Sequence, residues 1–136
     1  MADQKLAFVS SDATRALQAL SELRALYPNI TTPEEADVIV ALGGDGFMLH
    51  TLRHYIGIGK PIYGMNRGTV GFLMNEYSPE KLYERIAAAG RLTLHPLRMR
   101  VTRVDGGVEE ALAINEVSLF RETRQAAKID IRVDGV

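Results

Sequence analysis

An open α/β layer with a mostly parallel sheet, followed by the start of an all-β domain, is the fold class this sequence predicts, and three observations predict it. Short apolar runs alternate with helical patterns up to about Leu94. One run, Asp37 to Leu42, is continuously apolar and closes on a glycine cluster, the mark of a strand covered on both faces. After Pro96 the period of the apolar residues changes from helical to two. A length of 136 residues suits one domain, or one and a fragment, and is long enough to bury a core without disulfide staples.

Lys5 to Ser10 reads as a short buried strand, after which Asp12 offers a helix N-cap. Ala13, Ala16, Leu17, Leu20, Leu23 and Tyr27 recur at helical spacing up to Pro28, which stops the run. Asp37 to Leu42 is the second strand, Phe47 to Tyr55 a second helix, and Pro61 to Gly64 a third strand. Ser78-Pro79-Glu80 supplies an N-cap, an N1 proline and an acidic first turn for a helix ending at Gly90. Beyond Pro96, Leu97, Met99 and Val101 alternate with Arg98, Arg100 and Thr102; Asp105-Gly106-Gly107 then turns the chain, and Val108 to Phe120 returns as strand. Ile129, Ile131 and Val133 alternate again before the turn signal Asp134-Gly135. With no returning strand after it, this edge leads us to expect further strands beyond Val136 and an isolated chain that is aggregated, oligomeric through its β edge or disordered beyond about Pro96; a homo-oligomer is the expected state of the protein.

Composition narrows the function. Apolar residues make up 46% and charged residues 24%, which excludes a disordered tail or a fibrous repeat. Sixteen basic and seventeen acidic side chains leave a net charge of -1, so no field of one sign draws in nucleic acid or an anionic membrane, and neither is expected as a partner. The absence of cysteine excludes disulfides, thiolate metal sites and cysteine nucleophiles within the chain. No signal-peptide pattern and no run of eighteen apolar residues is present, and a cytoplasmic setting is expected.

The chemistry concentrates in three places. Gly43-Gly44-Asp45-Gly46 falls where a buried strand gives way to a helix, the junction at which open α/β sheets bind ligands. Its glycines allow positive φ and the close approach of a phosphate, and the helix N-terminus offers free N–H groups. A carboxylate repels phosphate, so Asp45 needs another role: general base towards a sugar hydroxyl, magnesium ligand, or simply the N-cap of a tight turn. The second place is Gly64-Met65-Asn66-Arg67-Gly68-Thr69-Val70-Gly71-Phe72-Leu73, a backbone surface shaped against a ligand with Phe72 available to stack on a base, or a plain loop. The third is Asn115-Glu116, an amide and a carboxylate interrupting an apolar strand, able to bond ribose hydroxyls and a base edge, or marking a bulge or edge.

Taken together, Gly43-Gly44-Asp45-Gly46, Gly64-x-Asn66-x-Gly68-x-x-Gly71-Phe72-Leu73 and Asn115-Glu116-Val117, in this order and spacing, resemble the NAD kinases over most of the chain. The first motif also occurs in phosphofructokinases and in the diacylglycerol and sphingosine kinases, whose expected Pro-x-Gly-Thr-x-Asn-Asp loop does not match Met65 to Leu73. The resemblance implies phosphorylation of the adenosine 2′-hydroxyl of NAD to NADP, with ATP or polyphosphate as donor and magnesium as the ion. It implies that residues 1–95 form a nucleotide-binding α/β domain and residues 96–136 the first strands of an antiparallel β domain. Asp45 would be the proton acceptor and, with Gly46, a contact to the dinucleotide. Phe72 would line the adenine pocket, and Asn115 and Glu116 would bind adenine and ribose. His50 stands where the family usually has Arg or Lys near the phosphates, and Phe47 where threonine commonly follows the glycine turn. A glycine-threonine-alanine-tyrosine segment that completes the NAD site in the family is not among these 136 residues, so the chain alone is expected to be inactive.

The rival readings are a lipid kinase of the diacylglycerol type and a dinucleotide-binding module without chemistry. His50 and His54 have metal-chelating spacing on a predicted helix but read as a surface pair, and no protein-held metal site is assigned. Arg121, Arg124, Lys128 and Arg132 read as a solvated face.

Overall fold

The computed structural model describes residues 4–69 and 71–136. Met1 to Asp3 at the start of the chain and Val70 of the second glycine loop lie outside the described residues. The elements run β1 (Leu6–Ser10), α1 (Thr14–Leu26), β2 (Val38–Gly43), α2 (Asp45–His54), a single 3-10 turn (Ile56–Ile58), β3 (Ile62–Asn66), α3 (Leu82–Ala88), β4 (Leu97–Thr102) and β5 (Val108–Ala113).

The first three strands form a parallel sheet in the order β1-β2-β3, with Leu6 opposite Val38 and Ile39 opposite Ile62. All six residues of β2 are buried, as its uninterrupted apolar run requires of a strand with a neighbour on each side and cover on each face. Strand alternation separates two clusters. Leu6, Phe8, Val38, Val40, Leu42, Tyr63 and Met65 pack with Ala16, Ala19 and Leu23 of α1 and Leu82 of α3. On the opposite face Ala7, Ile39 and Ala36 form a second cluster, against which Tyr55, Ile58 and Ile62 pack. Met48 of α2 is buried as well, and it approaches Gly64, whose missing Cβ leaves room for Met48 and Met74.

Local reading errs where tertiary contacts intervene. Helix α1 starts at Thr14 after an N-cap at Ala13 with no side-chain bond, so Asp12 caps nothing. The Ser11 N–H instead extends the sheet ladder to the Leu42 carbonyl at 2.9 Å, which holds the chain extended past β1. The buried stripe of α1 is Ala16, Ala19 and Leu23, whereas Leu17 is 48% exposed. Helix α2 begins at Asp45, two residues before the expected Phe47, so Asp45 and Gly46 form its first turn. Helix α3 begins at Leu82 rather than in the Ser78-Pro79-Glu80 segment and ends at Ala88 rather than Gly90, with Lys81 in the left-handed region at φ 55. Its cap is remote: the Tyr27 hydroxyl donates to the Pro79 carbonyl at 2.7 Å and accepts the Leu82 N–H at 3.0 Å. A tyrosine 55 positions earlier thereby replaces a local cap.

Strands β4 and β5 pair antiparallel from Leu97 opposite Ala113 to Thr102 opposite Val108. The Asp105-Gly106-Gly107 turn forms as its sequence predicts, with Gly106 at φ 86 and the Arg103 N–H bonded to the Gly107 carbonyl at 2.7 Å. Arg103 also pairs with Glu109 at 3.0 Å. The expected strand from Val108 to Phe120 stops at Ala113, and the alternating segment Ile129 to Val133 joins no ladder. Alternation supplies a face, but a strand also needs a partner for its backbone groups. The Asp134-Gly135 turn does form: both residues have positive φ, 52 and 84, and Val133 and Val136 exchange two backbone bonds of 3.0 Å.

Leu42 is fully buried at the end of the central strand. Leu42→Ala is expected to lower stability by about 2–5 kcal/mol, read as a fall in the urea midpoint with little change in slope.

Candidate functional site

The carboxyl ends of β1, β2 and β3 come together at the glycine turn. The Arg67 N–H donates to the Gly43 carbonyl at 2.8 Å, and the Met48 N–H to the Gly44 carbonyl at 3.0 Å. Gly44 is the N-cap of α2, with φ -111 and ψ -172, and no side chain caps the helix. The first-turn N–H groups thus face outward without an intrahelical acceptor, a setting that favours anions. None of the turn's three glycines has positive φ. Gly43 serves space instead: a Cβ there would stand 2.9 Å from Phe47 Cβ and Cδ1, whereas one on Gly44 or Gly46 would meet nothing within 4 Å.

Asp45, the first residue of α2, does not cap the turn. Its Oδ2 accepts the Phe72 N–H at 2.8 Å and its Oδ1 the Leu73 N–H at 2.9 Å. The carboxylate therefore ties the first glycine turn to the second glycine loop across 27 positions of sequence. The loop is closed at its base by backbone bonds of 2.8 Å from Asn66 to Asn75 and from Asn75 to Gly64. Asn66 Oδ1 accepts the Gly68 N–H at 2.9 Å, which turns the chain towards Gly44. The Phe72 ring is fully exposed.

His50 lies one turn along α2, exposed, with its ring between those of Phe47 and His54 at centroid distances of 6.3 and 6.0 Å. Both histidines, with Ser10, Thr51 and Tyr55, line a cavity of about 190 Å³ beside the turn. Asn115 and Glu116 are exposed in the bend after β5 instead of inside a strand, and no described hydrogen bond or ion pair joins them to α2 or to the Phe72 loop. The site residues thus fall into two groups: Asp45, Gly46, His50 and Phe72 stand around one turn, and Asn115 and Glu116 stand apart from it.

Periodicity gives no hint of a second anchor for the loop. The Arg67 guanidinium lies over the Tyr77 ring, 4.3 Å from its centroid, and Arg67 Nε approaches the Arg15 carbonyl at 3.5 Å. The Tyr77 hydroxyl donates to the Glu22 carboxylate, so the loop is also held on α1. Arg85 Nη1 donates to the Ser78 carbonyl at 2.8 Å and steadies the chain beyond it.

A parallel sheet whose carboxyl edge carries an uncapped helix opening on a glycine turn is an α/β domain of the open-sheet kind. Residues 9–90 match the model of the ATP-NAD kinase N-terminal domain. The chain is 58% identical over 130 residues to an NAD kinase of Rhizobium meliloti (strain 1021), covering 96% of this chain and 50% of that protein. It is 55% identical over 135 residues to one of Hyphomonas neptunium, covering 99% of this chain and 52% of that protein. An NAD kinase from Archaeoglobus fulgidus, solved in complex with ATP, is more distantly similar, with a TM-score of 0.47 and 23% identity over 75% of this chain and 44% of its own. The chain belongs to the NAD kinase family. It spans about half the length of the curated relatives it matches. Membership sets aside the diacylglycerol kinase reading.

Burial, then the bond to Glu22 and its charge, hold the Tyr77 hydroxyl protonated well above its usual 10.0, while Arg67 acts in the opposite direction. A value raised by folding contributes stability that is complete below about pH 10 and is lost as pH rises through the folded value. The melting temperature is expected to fall at alkaline pH, and Tyr77→Phe to flatten that fall.

Proposed function

We propose that the whole protein transfers the γ-phosphoryl group of ATP to the adenosine 2′-hydroxyl of NAD, giving NADP and ADP. The observation that carries this reading is the Asp45 carboxylate, held at the mouth of an uncapped helix by the loop that bears Phe72. The 2′-oxygen attacks the γ-phosphorus, the bond to the β,γ-bridging oxygen breaks, and the hydroxyl proton passes to Asp45. A carboxylate has about four lone-pair positions, so two N–H bonds leave room for the hydroxyl. The first N–H groups of α2, Gly46 among them, face the transferring phosphoryl group and favour its charge.

Phe72 stacks on the adenine, and Asn115 and Glu116 contact adenine and ribose once the second half of the protein is in place. His50 borders the donor phosphates from the next turn of α2. Polyphosphate is an alternative donor. Among the described residues no group of three or more acidic, histidine or cysteine side chains could hold a metal ion, so a magnesium ion would rest chiefly on the donor's phosphates, with at most one or two carboxylates of the protein beside them. Residues 1–95 form the nucleotide-binding domain, and residues 96–136 open the β domain. We place the protein in the cytoplasm as a homo-oligomer. The absence of cysteine accords with the first, and the exposed Leu97, Val101, Val108 and Leu112 of the hairpin with the second. Among the described residues no helix is long and apolar enough to cross a membrane.

Full-length protein incubated with NAD, ATP and magnesium should form NADP. Saturable NAD binding without NADP would instead identify a binding module. Asp45→Asn is expected to reduce turnover by on the order of 10²-fold or more. Glu116→Gln should weaken NAD binding by about 1.5–3 kcal/mol by calorimetry, and an unchanged NAD affinity with a worse ATP constant would put this pair at the other substrate.

A further inference from the structure

We propose that Gly71 is a positioning residue for the reaction: its missing side chain is the space that the Asp45 carboxylate occupies, and this seat couples the proton acceptor to the placement of Phe72. The inference rests on the kinase reading above. A Cβ at position 71 would lie 2.5 Å from Cγ, Oδ1 and Oδ2 of Asp45, so no other residue type fits while the carboxylate stays in place. The requirement is room for the carboxylate.

The N–H groups of the next two residues grip both carboxylate oxygens, at 2.8 and 2.9 Å, and fix the plane in which the remaining lone pairs lie. One carboxylate thus orients itself for the hydroxyl and, through the same bonds, sets where the Phe72 backbone starts. A base that is swung out of line loses both functions together.

Gly71→Ala puts a methyl group in the space of the Asp45 carboxylate. In the full-length protein it is expected to lower kcat about 10-fold or more and to raise the KM for NAD, with the KM for ATP changed less than about 2-fold. Phe72→Ala should raise the KM for NAD with a smaller effect on kcat. Amide hydrogen exchange provides a readout independent of activity: Phe72 and Leu73 should exchange several-fold faster in Gly71→Ala and in the isosteric Asp45→Asn. If Gly71→Ala fails to fold, the double variant Gly71→Ala/Asp45→Ala, in which the methyl meets no carboxylate, should fold again, and its failure to do so would overturn the proposal. Wild-type kcat in Gly71→Ala, or unchanged exchange at both amides in either variant, would overturn the proposal. If the wild-type full-length protein forms no NADP, the kinase reading fails, while the exchange rates still decide whether Gly71 seats the carboxylate.

Discussion

The structure depends on the burial of β2 on both faces and both edges. A strand enclosed in this way has only its ends to offer, and its carboxyl end carries three connections. The Leu42 carbonyl takes the Ser11 N–H, the Gly43 carbonyl takes the Arg67 N–H, and the Gly44 carbonyl takes the first bond of α2 from Met48. Three successive carbonyls therefore fix the segment after β1, the loop after β3 and the axis of α2. Because buried backbone groups must be paired, this small region has little conformational freedom.

Around that point three glycines act through volume. Gly43 admits the Phe47 ring, Gly64 admits Met74, and Gly71 admits the Asp45 carboxylate. In each case a side chain from another segment fills the space where a Cβ would stand. The positive-φ glycines, Gly59, Gly106 and Gly135, lie instead at the end of the 3-10 turn, in the hairpin and in the last turn. The two uses of glycine follow the two demands on the chain: close approach at the site, and reversal of direction at the periphery.

Helix α1 is more than cover for the sheet. Glu22 holds Tyr77, Tyr77 supports Arg67, and Tyr27, one residue past the helix end, caps α3. The outer end of the second glycine loop is thus referred to α1 and its inner end to α2 through Asp45. Two helices on opposite faces of the sheet hold one loop between them, so the loop keeps its place without a core of its own.

Local sequence was enough for the order of the elements from β1 to β5, the central buried strand and the hairpin at Asp105-Gly106-Gly107. Each of these is written in local periodicity or in a turn residue that acts within a few positions. Tertiary structure decided what depends on distant partners. It placed Asp45 on the Phe72 and Leu73 amides, moved the start of α3 to Leu82 under the Tyr27 hydroxyl, chose Ala19 over Leu17 for the core, and ended β5 at Ala113, short of Asn115 and Glu116. The division has one physical cause. Propensity and pattern are properties of neighbouring residues, whereas a carboxylate's acceptors, a helix's cap and a strand's ladder are satisfied by whichever distant groups the fold brings within about 3 Å.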